Sequence, residues 1–547
     1  MHGSRISCKW STLCLVLLLP TSLTHAATSS PHGLTEDSTL RTLLLDEPVA
    51  QLLKLGEVSD SDDNLNRTYL SPAHKRAAVL VESWMQQAGM KTHIDVLGNV
   101  RGCLGSRTAG PALLMGSHYD TVWDAGRYDG TLGVIVAVAA LKALLLQAAC
   151  DAGVLSGDAV NAAVREGQNV SALLGEHADA LLHAPVEVIA FSDEEGVRLQ
   201  STFLGSRALA GTFFKHGMLA SVDKKGATLS DILRMHGHGL LGADEDAIKQ
   251  AIARLALAPE AVQGYVEVHI EQGVTLEGLD VPVAPVRAIA GQTRLAVMFK
   301  GMQGHAGAVT MAARRDAVAA AAEAMFWLER RCGGQSLVDV PEEALEDPSL
   351  VCTVGEVDIH PGTSNVIAKY ANISVDIRVR RDDVRQRVVD DFRQQVDSVC
   401  RRRGIECAAE VRHTAPAVAC DPGMVQALQS ACIRSQQVLE RMLAAGQCAE
   451  PGSAGAGVAA GAGAPGTCAA VPRRPRRAGA ALTLVSGAGH DALALADLTK
   501  VAMLFVRNRG GVSHSPEEHV EPEDVAAAGA ALLMFLRERV LLDKAPL

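Results

Sequence analysis

Apolar positions along this chain recur in two patterns. Residues 111–117 (PALLMGS) and 186–192 (VEVIAFS) are short, almost wholly apolar runs bounded by turn-forming residues, as strands buried on both faces read. GYVEVHIEQG (264–273) carries another such strand. Between the first two, DGTLGVIVAVAALKALLLQ (129–147) is apolar nearly all round, the pattern of a helix surrounded by core. Strands alternating with helices from about 77 to 300 predict an α/β sheet covered on both faces. Near 294 the pattern changes. RLAVMFKG alternates like a half-exposed strand, and an Ala-rich helix is expected over about 311–331. NISVDIRVR then alternates with period two, Ile373, Val375, Ile377 and Val379 facing one way and Asn372, Ser374, Asp376, Arg378 and Arg380 the other. A smaller α+β domain is therefore expected at 293–412, inserted into an α/β domain made of 34–292 and 413–547. One stretch fits neither pattern. PGSAGAGVAAGAGAPG and VPRRPRR, within 451–477, bury too little side chain to offset the entropy of ordering, so a disordered low-complexity insert is expected over about 448–480.

Composition narrows the class. The formal charge is −11, from 62 acids against 51 bases, which excludes the basic footprint of a nucleic-acid binder. At the N-terminus, Arg5 and Lys9 precede LCLVLLLP, and Thr24-His25-Ala26 is a small-residue cleavage pattern. Residues 1–26 read as a secretory signal peptide, and the expected destination is the endoplasmic reticulum or the secretory pathway beyond it. The apolar run is too short to span a bilayer comfortably, and no later segment reads as a membrane span. The 12 cysteines include no CxxC pair, so no zinc ribbon is indicated, and sequence alone does not pair them. Asn66-Arg-Thr and Asn169-Val-Ser are expected to be the open glycosylation sequons, Asn372-Ile-Ser the less accessible one.

The chemistry lies at the strand ends. After VEVIAFS come Asp193, Glu194 and Glu195, three acids that repel one another and lose solvation where a buried strand stops. A metal cation is the simplest source of the positive charge they need. Candidate ligands recur in the same place along other strands: His118 and Asp120 in SHYDTV, Asp129 in RYDGTLG, His269 and Glu271 in HIEQG, and His514 in a loop near the C-terminus. In open α/β sheets, ligands bind beyond the carboxyl ends of the strands. Imidazoles and carboxylates without thiolates suit zinc, manganese or a similar divalent ion. An aspartate can bridge two such ions, and a pair of ions activates water and polarises a carbonyl. One acid of the Glu194–Glu195 pair can then be a ligand while the other stays free to shuttle a proton.

These motifs, with GHAG, SNVI, DIR, GAGHDA and SHSPEEH, resemble the dinuclear metallohydrolases of the amidohydrolase and exopeptidase type. The similar branch is the ureido branch, containing allantoate amidohydrolase, ureidoglycolate amidohydrolase and N-carbamoyl amino-acid hydrolase, rather than the peptidases. The resemblance to this branch covers roughly 35–540, apart from the low-complexity insert and a looser stretch near 150–184, and within it DAGRYDGTLG, SDEEGVR, STFLGS and LTKVAMLFVRNRGGVSHSPEEHV most resemble plant-type allantoate deiminases. The resemblance implies a mixed-sheet α/β catalytic domain with an inserted lid and dimerisation domain. It implies that His118 and His269 hold one ion, Glu195 and His514 the other, and that Asp129 bridges them. Glu194 would be the general base, and Asp120 would orient His118. Gln292, His305, Asn365 and Arg378 would contact substrate, with His305 and Asn365 reaching the neighbouring subunit's site in a homodimer. The resemblance would also place His490 near the substrate, without a firm role.

The two ions are expected to be Mn2+, with Zn2+ as another possibility. The activity implied is hydrolysis of a ureido C–N bond of allantoate in purine catabolism. The alternatives are ureidoglycolate or an N-carbamoyl amino acid as substrate, or a non-catalytic binding protein on the same scaffold. Two departures stand out: Thr310 replaces the proline of HAGTxPM, and Leu199 replaces the aromatic of EEGxRF.

Overall fold

The computed structural model describes residues 37–106, 110–175, 177–333, 347–445 and 482–541. The expected signal peptide (1–26) and low-complexity insert (448–480) lie outside the described residues. Strands β1 (Lys91–Ile94), β2 (Val100–Leu104), β3 (Ala112–His118), β4 (Val186–Phe191), β5 (Val262–Ile270) and β6 (Val283–Ile289) belong to one large sheet. The chain then leaves it for β7 (Gly291–Lys300), β8 (Gly304–His305), β9 (Val351–His360), β10 (Val366–Ile367), β11 (Tyr370–Val379) and β12 (Glu406–Ala415). It returns as β13 (Val418–Ala419), β14 (Leu484–Ser486) and β15 (Val501–Val506).

The large sheet has nine strands in the order β1-β2-β4-β3-β5-β15-β6-β13, with β14 paired to β6. Its centre, β4-β3-β5-β15, is parallel, and β1–β2 and β2–β4 are antiparallel. Parallel strands are covered on both faces, which is why β3, β4 and β15 are buried throughout and read as unbroken apolar runs. Helix Thr131–Asp151 is the expected core helix. It is long and apolar enough to cross a membrane, yet nearly all of it is buried inside the fold, against helix Pro522–Val540 and strands β3 and β5.

The inserted unit is an antiparallel sheet, β12-β7-β11-β9, with helices Ala317–Arg331 and Asp382–Arg403 on one face. Ile373, Val375, Ile377 and Val379 point into its core with Leu295, Val297 and Phe299, as the period-two pattern requires. The Ala-rich helix starts at Ala317, later than 311. The Asp316 side chain accepts from the backbone N–H of Val318 and Ala319 and so caps it there, while Met311–Ala313 forms a separate turn. Disulfides Cys332–Cys352 and Cys400–Cys407 both lie in this unit.

The two sheets are joined by neighbouring chain crossings. β6 runs through Ala290 into β7, and β12 returns two residues before β13. The crossings stay side by side, because Gln292 pairs with Ala415 and Ile289 with Val418.

Candidate metal centre

The parallel strands β3, β4 and β5 end at one rim of the large sheet, and each delivers part of a cluster there. His118 is the last residue of β3, His269 the penultimate residue of β5, and Glu194 and Glu195 follow β4. Asp129 stands just before helix Thr131–Asp151, and His514 comes from the loop after β15. Asp129 is central. Its Oδ1 lies 3.1 Å from His269 Nε2 and 3.8 Å from His118 Nε2. Its Oδ2 lies 3.1 Å from His514 Nε2, which is itself 3.4 Å from Glu195 Oε1. One carboxylate thus turns an oxygen toward each of two ligand groups, His118–His269 and Glu195–His514. Glu194 Oε2 stands 4.0 Å from His118 Nε2.

Three sets of donor atoms converge closely enough to hold a cation: His118, Asp129 and His269; Asp129, Glu195 and His514; and His118, Glu194 and Glu195. The charges favour cations as well. Asp120, Asp129, Asp193 and Glu194 are buried, and Glu195 nearly so. Burial and then Glu195 push the Glu194 carboxyl well above the ordinary carboxylate range, and burial with Asp129 pushes Glu195 up to about 8. Against its own burial, Asp129 is held well below that range by hydrogen bonds from His269 and His514. Despite burial, those same bonds hold His269 up to about 9; the Asp129 bond raises His514 to about 9. Buried Asp129 Oδ1 faces the His269 and His118 imidazoles yet receives no well-aligned hydrogen bond. An all-oxygen and imidazole donor set with a surplus of buried acid fits two divalent ions.

The surrounding residues hold the cluster in place. His118 Nδ1 lies 3.2 Å from the carbonyl of Asp120 and 3.6 Å from its Oδ1. The Asp120 carboxylate accepts from the backbone N–H of Glu194 (3.1 Å) and Glu195 (3.2 Å). Orientation of His118 therefore comes mainly from the backbone of Asp120, while its side chain ties the end of β3 to the acidic loop after β4. His269 Nδ1 similarly meets the carbonyl of Ile270 at 3.0 Å.

Three residues missed in the sequence act on Asp129. Gln272 Nε2 and Ser513 Oγ each donate to its Oδ2 at 3.1 Å. Glu518 Oε1 accepts from the backbone N–H of Tyr128 (2.7 Å) and Asp129 (3.0 Å). A fourth, Arg67, is fully buried under the same loop and donates through Nε to the carbonyl of Tyr119 at 2.6 Å. Gly130 is required by space and by backbone: its φ is +65°, and a Cβ there would lie 2.4 Å from the His118 ring.

Other candidates end elsewhere. Glu271 turns away from the cluster and accepts from the N–H groups of Thr275 and Leu276, because the chain starts a helical turn beside it. His490 is buried, with Nε2 2.7 Å from Ser486 Oγ and its ring packed on His269. Asn66 is also folded in: its Nδ2 donates to Asn64 Oδ1 and its Oδ1 accepts from the N–H of Asp124, so this sequon is not the open one expected.

Gln292 and Arg378 face each other across β7 and β11 and line a cleft of about 560 Å³ together with the candidate ligands. The Arg378 fork is engaged by Asp376 (3.0 and 2.9 Å), and its Nη1 donates to the carbonyl of Gly487 in the large-sheet unit (2.8 Å). His305 and Asn365 are brought together by β8 and β10, where Ala306 N–H donates to Asn365 O, but both are exposed and outside this chain's cleft. Thr310 has φ −62°, the value the missing proline would impose, so the backbone near His305 keeps its course.

A family model described as peptidase family M20/M25/M40 matches residues 170–469. Allantoate deiminase of Arabidopsis thaliana is 41% identical over 506 residues, covering 91% of this chain and 83% of that protein. A probable allantoate deiminase of Oryza sativa subsp. japonica is 42% identical over 515 residues, covering 92% and 90%. Among solved structures, an amidase of the hydantoinase/carbamoylase family from Burkholderia multivorans superposes with a TM-score of 0.67 at 23% identity, covering 91% of this chain and 98% of that one, a likeness of fold.

Proposed function

The chain belongs to peptidase family M20/M25/M40, and from that premise we propose that it hydrolyses a ureido C–N bond of allantoate, giving ureidoglycine, ammonia and carbon dioxide. The single observation that carries a hydrolytic reading is Asp129, with one oxygen toward His118 and His269, the other toward His514 beside Glu195, and Glu194 next to them. The choice of allantoate is supported by the names of the plant relatives.

In this reading His118, Asp129 and His269 would hold one divalent ion, and Asp129, Glu195 and His514 would hold the other. Such ions supply Lewis acidity, making water a nucleophile at neutral pH and polarising the ureido carbonyl, which two nitrogen donors otherwise deactivate. Glu194 accepts the proton released by the attacking water and returns it to the leaving nitrogen. Burial and the neighbouring Glu195 raise its basicity toward the range a general base needs. Asp120 and Glu518 keep the two ligand loops in register. Gln292 and Arg378 contact the substrate from the inserted sheet, which acts as a lid.

Manganese is the metal we assign. Two chains pair through their lids, so that His305 and Asn365 of one serve the cleft of the other and stabilise the developing oxyanion. Residues 1–26 direct the protein into the endoplasmic reticulum. The test is ammonia release from allantoate, ureidoglycolate and N-carbamoyl amino acids by protein reconstituted with Mn2+. Turnover of allantoate at the highest kcat/KM supports the reading, and preference for either other substrate overturns the assignment to allantoate.

A further inference from the structure

The large-sheet wall of the cleft carries a guanidinium that the reading above does not use. Arg207 lies in the short helix Leu204–Leu209, is half-buried, and lines the same cleft as the ligand cluster. Its Nε donates to the carbonyl of Thr202 at 3.3 Å, and its Cζ sits 5.5 Å from the centre of the Phe203 ring. Among the described residues no carboxylate pairs with it, and Asp497, the acid that acts on it, is exposed and makes no ion pair with it. Burial accordingly holds its pKa below the ordinary value. The other cleft arginines differ. Arg378 has its fork on Asp376, and Arg294 Nε shares the same carboxylate at 3.1 Å.

The position of Arg207 is built into the acidic loop. Phe203 N–H donates to Glu194 O (3.1 Å), Leu204 N–H to Asp193 O (3.2 Å), and Arg207 N–H back to Phe203 O (2.9 Å). The Phe203 ring packs against Gly489, where a Cβ would come within 2.7 Å of it, and Gly487 of the same loop holds Arg378. Arg207 is thus anchored by its backbone to the segment carrying Glu194. Its Nη groups make no hydrogen bond to any described residue. A partly desolvated guanidinium with an open fork recovers its lost hydration when a carboxylate arrives, and the planar fork suits two parallel hydrogen bonds.

We propose that Arg207 is a specificity-determining residue of this site, gripping the carboxylate of the ureido substrate from the large-sheet side of the cleft. The proposal rests on the ureido-carboxylate reading and makes the preferred substrates anions. The test is calorimetric binding of allantoate and of its uncharged carboxamide to metal-loaded protein carrying Glu194→Gln, with and without Arg207→Gln or Arg207→Lys. Arg207→Gln is expected to weaken allantoate binding by at least about tenfold, as loss of a charge-assisted pair does, and to leave carboxamide binding unchanged. Arg207→Lys, keeping charge without the fork, falls between. Equal losses for both ligands, or no loss for allantoate, overturn the proposal. If metal-loaded wild type releases no ammonia from allantoate while Arg207 still discriminates anion from amide, the assigned reaction fails and the subsite stands. Binding of neither ligand overturns both.

Discussion

Glu518 offers the sharpest check on how the cluster is held. It is 4% exposed, and one oxygen accepts both the Tyr128 and the Asp129 N–H, at 2.7 and 3.0 Å. These bonds fix the loop that aims Asp129 at both ligand groups. Glu518→Ala removes two hydrogen bonds to a charged acceptor, each contributing about 1.5–3 kcal/mol, and leaves two buried N–H groups unmet. After water fills part of the space, a loss of about 3 kcal/mol in the stability of the loop is expected. Losing a residue that orients ligands typically lowers metal affinity about 10- to 100-fold. Glu518→Gln keeps a carbonyl oxygen for both N–H groups and should stay within about tenfold of wild type by the same reasoning. Competition for Mn2+ against a chromophoric chelator, run on all three proteins, measures the difference. Should Glu518→Ala bind manganese as tightly as wild type, the argument that this carboxylate sets the position of Asp129 is wrong.

Gly130→Ala should cost metal binding outright, since its methyl would meet the His118 ring at 2.4 Å in a backbone at φ +65°; full metal content in the purified variant would refute this. Glu194→Gln should retain both metals, read by elemental analysis, and lose turnover by about 100-fold or more, the scale of general-base catalysis; an active variant would place the base elsewhere. The pH dependence of the stripped protein has a definite sign. Glu195 is raised from 4.5 to about 8, and His269 and His514 from 6.5 to about 9. Groups that hold protons longer when folded stabilise the fold below their unfolded values, and that contribution disappears as pH rises through the folded ones. The Tm of metal-free protein should therefore fall between about pH 6.5 and 9, and less so once metal replaces the protons. A flat metal-free profile across that window would contradict the electrostatics described here.

Much of the cluster was legible because its ligands follow strands whose apolar runs are easy to read. His118, Glu194, Glu195 and His269 stand at or just past those runs, and Asp129 at the mouth of a helix that is apolar all round. Glu518 and Gln272 escaped notice although they sit inside the SHSPEEH and HIEQG motifs. What they do depends on hydrogen bonds to a distant loop, and no spacing encodes that. Arg67 and Arg207 were hidden for a related reason: sequence shows a basic residue but not whether an acid meets it in space. Glu271 misled because a carboxylate two residues after a histidine suits either a metal or the start of a helix, and the choice follows from the next turn of chain. The short edge strand β1, KTHI, alternates between exposed and half-buried positions with no buried residue and left little trace.

The paired crossings between the sheets make the lid a detachable module. Entry at β7 and exit at β12 lie on adjacent strands, and their continuations β6 and β13 are themselves hydrogen-bonded neighbours. A short turn joining Ala290 to Ala417 would excise the whole insertion and spare every strand that carries a metal ligand. Recombination at this seam could exchange one lid for another, altering what the cleft admits while the hydrolytic machinery beneath passes on intact.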